Sequence, residues 1–206
     1  MSATKSRLSA EERKSTVLEC ACQIFAKGSY HGATTAEIAR TAGVTEPILY
    51  RHFSSKRDLY LACLTQAWVE CRAMWEGAVD AEPDPALWLT AMGDSYFAAK
   101  DKRGTIALLW VQALTEASDD PEIRRFIRRH IREVHEFVAD VVRRAQGAGG
   151  ILPDRDPEAE AWIYIAIGLL GTVSKRLGGL ADEDFPSIFA ARRMWMTGKA
   201  EPQAEQ

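Results

Sequence analysis

The sequence predicts an all-α chain of about nine helices, with a small N-terminal three-helix domain followed by a larger helical one. Three observations carry this. Apolar residues recur at helical rather than alternating spacing, no segment has the pattern of a strand, and capping pairs, glycines and prolines cut the chain into helix-sized pieces. With 206 residues, 47% of them hydrophobic, there is enough apolar material for a sizeable core in one or two domains.

Taken in order, Met1 to Leu8 read as a polar, basic and mobile arm. Ser9 with Glu12 is a capping box that opens the first helix, whose buried stripe is Val17, Ala21, Ile24 and Phe25 and which Gly28 closes. Thr34 and Glu37 repeat the pair and start a second helix carrying Ile38, Ala39 and Ala42; Gly43 ends it by allowing positive φ. Thr45 caps a short third helix reaching Phe53, in which Pro47 is tolerated because the first turn has spare amides. At the helical period Leu49 and Phe53 share one side, Pro47, Ile48 and Arg51 the other, and Tyr50 the flank. Ser55 and Asp58 open a long fourth helix that runs to about Val79 and buries Leu59, Cys63 and Ala67. Pro83 and Pro85 interrupt the chain. Further helices follow at Pro85 to Ala99, Thr105 to Ala117, Asp119 to Gln146, Pro157 to Leu177 and Phe185 to Thr197, before a polar tail expected to be disordered.

Two short helices joined by a glycine-bearing turn and followed by a third form a helix-turn-helix, the arrangement that places its second helix in the major groove of DNA. The charge is divided to match. Residues 1 to 57 hold nine Lys/Arg against five Asp/Glu, a net of +4, which leaves −7 for residues 58 to 206 out of an overall −3. A basic reader on an acidic body confines phosphate attraction to one end, although such an imbalance also arises by chance. The expected domains are therefore 1–57, a DNA-binding domain with its arm, and 58–206, a helical body with its tail.

The end of the first helix at Phe25 to Gly28, with Thr35, Ile38-Ala39, Ala42-Gly43-Val44, Leu49-Tyr50, His52-Phe53, Lys56 and Leu59, resembles the DNA-binding domain of the tetracycline-repressor (TetR) family over about fifty residues. As a set at fixed spacing these residues are specific; Ala-Gly-Val alone is weak. The resemblance implies a homodimeric repressor that binds a palindromic double-stranded DNA operator and is released by a small-molecule effector held in the body. An activator or a protein-switched regulator of the same fold is the alternative, and a helical enzyme is disfavoured because no nucleophile, base and orienting residue fall into a recognisable arrangement.

Within the reader, Thr34 is occupied as a cap, whereas Thr35, one step inside the helix, is free to bond a phosphate. Lys56 stands in the first turn of the fourth helix, where a cation opposes the helix dipole and gains nothing locally; a phosphate contact explains it. Tyr50 and His52 match the family's phosphate-contacting pair, with packing against adjoining helices as the other reading. Base readout falls to Thr45, Glu46, Pro47, Ile48 and Arg51. Arg51 can bond guanine O6 and N7 or else a phosphate, Glu46 can accept from cytosine N4 or simply complement the helix dipole, and Ile48 or Pro47 can touch a thymine methyl. Glu46 and Ile48 are not the commoner family choices at this tip, so the operator sequence is not predictable.

In the body, Trp68, Trp75, Met92, Tyr96, Trp110, Phe137 and Trp162 lie on helices that surround the ligand cavity if the family architecture holds, although most such side chains in any protein are core. Gln112, Glu116 and Asp94 offer polar groups that could orient a ligand. Ile123, Ile127, Ile131, Val134, Val138 and Val141 make an apolar stripe on the seventh helix, and the arginines from Arg124 to Arg132 sit off it, on a solvated or salt-bridged face. Ala161, Ile165 and Leu169 on the eighth helix and Phe185 and Phe189 on the ninth supply more apolar surface than one hairpin covers, which suits a symmetric four-helix dimer interface. Burial in the same chain is the alternative.

The rest is exclusion. Cys20, Cys22, Cys63 and Cys71 lack zinc-site spacing and are expected as reduced packing residues, and neither metal nor cofactor is called for. His130 and His135, five apart, do not share a helical face as metal ligands do. No targeting segment is visible and the longest apolar run, Ala161 to Val173, is too short to span a bilayer, so a cytoplasmic protein with no membrane partner is expected.

Overall fold

The computed structural model describes residues 9–98 and 100–199, the side chains of 97–105 and 107 excepted; the expected N-terminal arm and most of the tail lie outside the described residues. Among the described residues there are nine α-helices and no strand: α1 Ala10–Lys27, α2 Thr35–Thr41, α3 Glu46–His52, α4 Lys56–Ala81, α5 Trp88–Ala98, α6 Lys100–Glu116, α7 Pro121–Gly147, α8 Pro157–Arg176 and α9 Phe185–Thr197. The starts follow the capping chemistry. Ser9 and Glu12 bond each other's amides at 2.6 and 3.1 Å, and the Ser55 hydroxyl accepts from the Asp58 amide at 3.0 Å.

Two elements depart from expectation. Pro85–Leu87 is a 3₁₀ turn, held by the Asp84 carboxylate accepting from the Ala86 amide at 2.9 Å, and the α-helix proper begins only at Trp88. Helix α6 starts at Lys100 rather than Thr105, so Gly104 lies inside it. One glycine costs a helix only about 1 kcal/mol and does not by itself end it.

The chain packs as two compact units, Met1–Glu70 with Asp101–Phe126, and Cys71–Lys100 with Ile127–Gln206. The first therefore groups α6 and the start of α7 with the helix-turn-helix. Its core is Val17, Ala21, Phe25, Ile38, Leu49, Leu59 and Tyr60, all fully buried, with the Tyr60 ring edge-on to Phe25 at 5.0 Å. Each Val, Leu, Ile or Phe among them contributes roughly 1.5–3 kcal/mol through burial.

In the second unit Trp75 stacks on Phe137 at 6.0 Å and meets Tyr164 edge-on at 5.8 Å. A second cluster, Val142, Ala145, Ile151 and Met196, packs against Trp88 and Leu89. Gly150 is required by close approach: a Cβ there would stand 2.4 Å from the Pro85 carbonyl carbon. Glu160, buried on α8, accepts from the Trp195 indole at 2.7 Å and from Arg192, both on α9. The Ser174 hydroxyl accepts from the Ala181 amide and donates to Asp182, each at 2.8 Å, which fastens the α8–α9 connection. On α7 the expected stripe is buried or half-buried and the arginines are exposed.

Candidate nucleic-acid interface

The reader is set by three local devices. The Thr34 hydroxyl accepts from the Glu37 amide at 3.1 Å and fixes the start of α2. Gly43 adopts φ of +69°, the left-handed value that lets the chain turn between α2 and α3 without a side-chain clash. Leu49 and Phe53, both buried, hold α3 to the core. This leaves Thr45, Pro47, Tyr50 and Arg51 exposed and Ile48 and His52 half-buried. Thr45 stands at the N-cap of α3 but makes no side-chain cap bond.

Two expectations for this surface need revision. The Thr35 hydroxyl is not free: it donates to Glu46 Oε1 at 2.6 Å and lies 3.1 Å from the Tyr50 hydroxyl. Glu46 is thus turned back onto α2, with its carboxylate engaged there rather than held out for a base. Lys56 does gain local partners, because its Nζ donates to the His31 carbonyl at 3.3 Å and sits 4.8 Å over the Tyr30 ring. Partial burial pushes its pKa below the usual lysine value, against the pull of Glu116.

Sequence reasoning missed a set of polar ties from α6 and the α6–α7 turn to the reader. Gln112 donates to the carbonyls of Ala26 and Gly28 at 3.3 and 2.5 Å, Glu116 meets His31 at 2.8 Å, and Arg57 pairs with Asp120 at 2.8 Å and Glu122 at 2.7 Å. Gln112 and Glu116, offered above as ligand-orienting groups, instead serve the end of α1 and the loop after it. These partners lie 65 to 86 residues apart for Arg57–Glu122 and Gln112–Ala26, so no local signal announces them.

The seven residues expected to line a ligand cavity divide between the units, Trp68 and Trp110 in the first and Trp75, Met92, Tyr96, Phe137 and Trp162 in the second. Trp75 and Met92 are buried and Tyr96 and Phe137 half-buried, whereas Trp162 is 40% exposed, with its ring 4.2 Å from His135 and Arg132 above it. A depression of about 370 Å³ in the second unit is lined by the end of α4, Glu82 just after it, Leu87 of the 3₁₀ turn and Thr90, Ala91 and Asp94 of α5, and by none of these seven. Of the residues expected at a partner face, Leu169 and Phe189 are exposed and Ile165 and Phe185 half-buried. Ala161 is fully buried in its own chain, because its side of α8 faces that chain's core. Exposed Leu170, Val173, Leu177 and Leu180 extend the apolar surface around Leu169. Cys63 and Cys71 are buried, and burial pushes the Cys71 thiol up to about 12, away from the reactive thiolate.

A helix-turn-helix whose second helix is held by buried Leu49 and Phe53 and leaves Thr45, Pro47, Tyr50 and Arg51 exposed is the arrangement of a DNA reader, and comparison with known proteins agrees. The model for bacterial regulatory proteins of the tetR family matches residues 17–63, and that for the C-terminal part of BetI-type transcriptional repressors matches residues 85–168. The chain is 49% identical over 166 residues to the HTH-type transcriptional activator FasR of Mycolicibacterium smegmatis, covering 80% of this chain and 70% of that one. It shares its fold with a putative TetR-family regulator from Rhodococcus sp., at a TM-score of 0.79 and 21% identity over 91% of this chain and 99% of the other. The structure of AibR in complex with isovaleryl coenzyme A and operator DNA is similar at a TM-score of 0.60 and 21% identity, covering 77% of this chain and 84% of that one. The chain belongs to the TetR family and is a transcription regulator, not an enzyme. No helix among the described residues is long and apolar enough to cross a membrane.

Proposed function

We propose that the protein binds a palindromic operator as a cytoplasmic homodimer, with residues 1–57 reading DNA and residues 58–206 pairing the protomers and holding a small apolar effector that alters DNA affinity. The exposed face of α3 is the observation that carries this reading. We assign Arg51, Ile48, Pro47 and Thr45 to base edges and Tyr50, His52, Thr35 and Lys56 to phosphates. Pairing is supported by the apolar surface of α8 and α9, which includes Leu169 at 41% and Leu177 at 63% exposure. That the body holds an effector is supported by the AibR structure, which contains isovaleryl coenzyme A; the apolar character proposed for it rests on the aromatic content of the body alone. Repression is what the family resemblance implies, and the BetI-type repressor model over residues 85–168 is in line with it; the relative that is 49% identical is named an activator, and we take activation as the first reading.

Selection from a random duplex pool tests the whole. We expect an enriched palindrome with half-sites ~34–36 Å apart, or a multiple of one helical turn. Absence of enrichment defeats the DNA-binding reading. Transcription from the selected site with purified polymerase then rises if the protein activates and falls if it represses. An effector found by thermal-shift screening should bind operator-bound protein more weakly by the factor with which it weakens operator binding, since coupling is reciprocal.

A further inference from the structure

We propose that Glu46 occupies, in the DNA-free protein, the hydrogen-bonding positions that Thr35 and Tyr50 would offer a DNA phosphate, and so sets the threshold for all DNA binding. This rests on the DNA-binding reading above. The argument is one of protons. Thr35 and Tyr50 each have a single hydroxyl proton, and the 2.6 Å contact commits that of Thr35 to the Glu46 carboxylate, a length typical of a charge-assisted bond. With that proton spent, the 3.1 Å contact must run the other way, with the Tyr50 hydroxyl donating to Thr35 Oγ1. Both protons then point along one chain that ends on a carboxylate. A phosphate approaching this corner finds lone pairs and a like charge, although Tyr50 itself is 46% exposed.

Binding in this corner therefore requires Glu46 to leave. Because only the fraction of protein with Glu46 withdrawn is competent, the apparent affinity is lowered by that fraction for every duplex alike. Selectivity is untouched, since the ratio between operator and scrambled DNA does not contain the fraction. The device raises the bar so that phosphate contacts alone hold the protein to DNA less well, and base contacts decide where it stays.

The test is a double-mutant cycle read by duplex titration at fixed salt, with the selected operator and a scrambled duplex. Glu46→Ala should tighten both by about tenfold, with their ratio unchanged, as expected when a competent fraction near one tenth becomes unity. In a Thr35→Val, Tyr50→Phe background the gain should fall to that of Glu37→Gln, an exposed acidic position on α2 that controls for net charge. Thermal unfolding checks that each variant is folded; should the valine variant fail, Thr35→Ala with Tyr50→Phe replaces it. An equal gain in both backgrounds overturns the proposal, because Glu46 then acts only as a distant charge. So does a loss of affinity, which makes Glu46 a pin between α2 and α3, or a changed preference at one base, which makes it a reader. A wild type that binds no duplex defeats the underlying DNA-binding reading, whereas a wild type that binds but gains nothing from Glu46→Ala defeats this inference alone.

Discussion

In the helix-turn-helix, Thr35, Glu46 and Tyr50 are joined by bonds of 2.6 and 3.1 Å, and Thr34 caps α2 from three residues away. In the second compact unit Trp75, Phe137 and Tyr164 meet as rings 5.8 to 6.0 Å apart, contributed by α4, α7 and α8. The first kind of contact needs a particular donor facing a particular acceptor, so a substitution shows in function. The second tolerates other apolar side chains of similar volume, so the same residue serves a core or a ligand wall equally well. Two regions of one chain thus differ in how far residue type constrains residue role.

The largest test of this difference is made at the body's surface. If the body acts on DNA chiefly by pairing two readers, Leu169→Glu with Phe189→Glu should leave each protomer folded but monomeric by sedimentation. Losing the second reader should weaken operator binding by roughly hundredfold or more, the scale of linked binding. A variant that stays dimeric, or a monomer that binds as well as the wild type, removes the body from DNA recognition and breaks the comparison.

Legibility in the sequence follows the same division. The helix starts at Ser9, Thr34 and Ser55 and the turn at Gly43 were readable because each is decided within four residues by hydrogen-bond chemistry. The ties of Gln112 to α1 and of Arg57 to Glu122 were not, since nothing local distinguishes them from solvated side chains. The inward turn of Glu46 was missed for a related reason: a carboxylate in the first turn of a helix already has a sufficient local explanation in the dipole. Ala161 was misassigned because a small apolar residue on an amphipathic helix suits a partner face and a core alike. It is fully buried.

Next in size is Arg51, which separates reading from holding within the reader. Arg51→Ala should cost ~1–3 kcal/mol at one base position and relax preference there in a repeated selection. A uniform loss across sequences, with a shallower salt dependence, reassigns Arg51 to phosphate and leaves the α3 face with fewer means of discrimination.

Asp120 tests where the reader ends, because it bonds the amides of Glu122 and Ile123 at the start of α7 and pairs with Arg57 at the start of α4. Burial acts to raise its carboxyl pKa, but the Ile123 and Glu122 amides and then Arg57 outweigh it and hold the value below the ordinary one. A depressed folded value means the carboxylate stabilises the fold fully above its unfolded pKa of about 3.9 and ceases to as pH falls through the lower folded value. Asp120→Ala should therefore lower stability by about 0.5–2 kcal/mol at pH 7, judged as a helix cap, with the deficit shrinking as pH falls below about 3.9 and its charge-dependent part gone below the folded value. Urea unfolding of both proteins across this range measures it. A deficit independent of pH assigns the effect to the cap's shape rather than its charge.

The smallest effects distinguish two threonines that occupy the same formal position on successive helices. Thr34 caps α2 with its hydroxyl, whereas Thr45 stands at the N-cap of α3 and makes no such bond, leaving the α3 amides to other partners. Thr34→Ala should cost about 1 kcal/mol of stability, and Thr45→Ala only a few tenths. Function should run in the opposite order. A hydroxyl that is exposed and does no structural work is the one available to DNA, so Thr45→Ala should alter operator binding while barely moving the melting temperature. Thr34→Ala should alter binding only as far as it loosens α2. If Thr45→Ala instead destabilises the protein as much as Thr34→Ala, its hydroxyl is a cap in solution, and one of the four side chains assigned to base contact is structural.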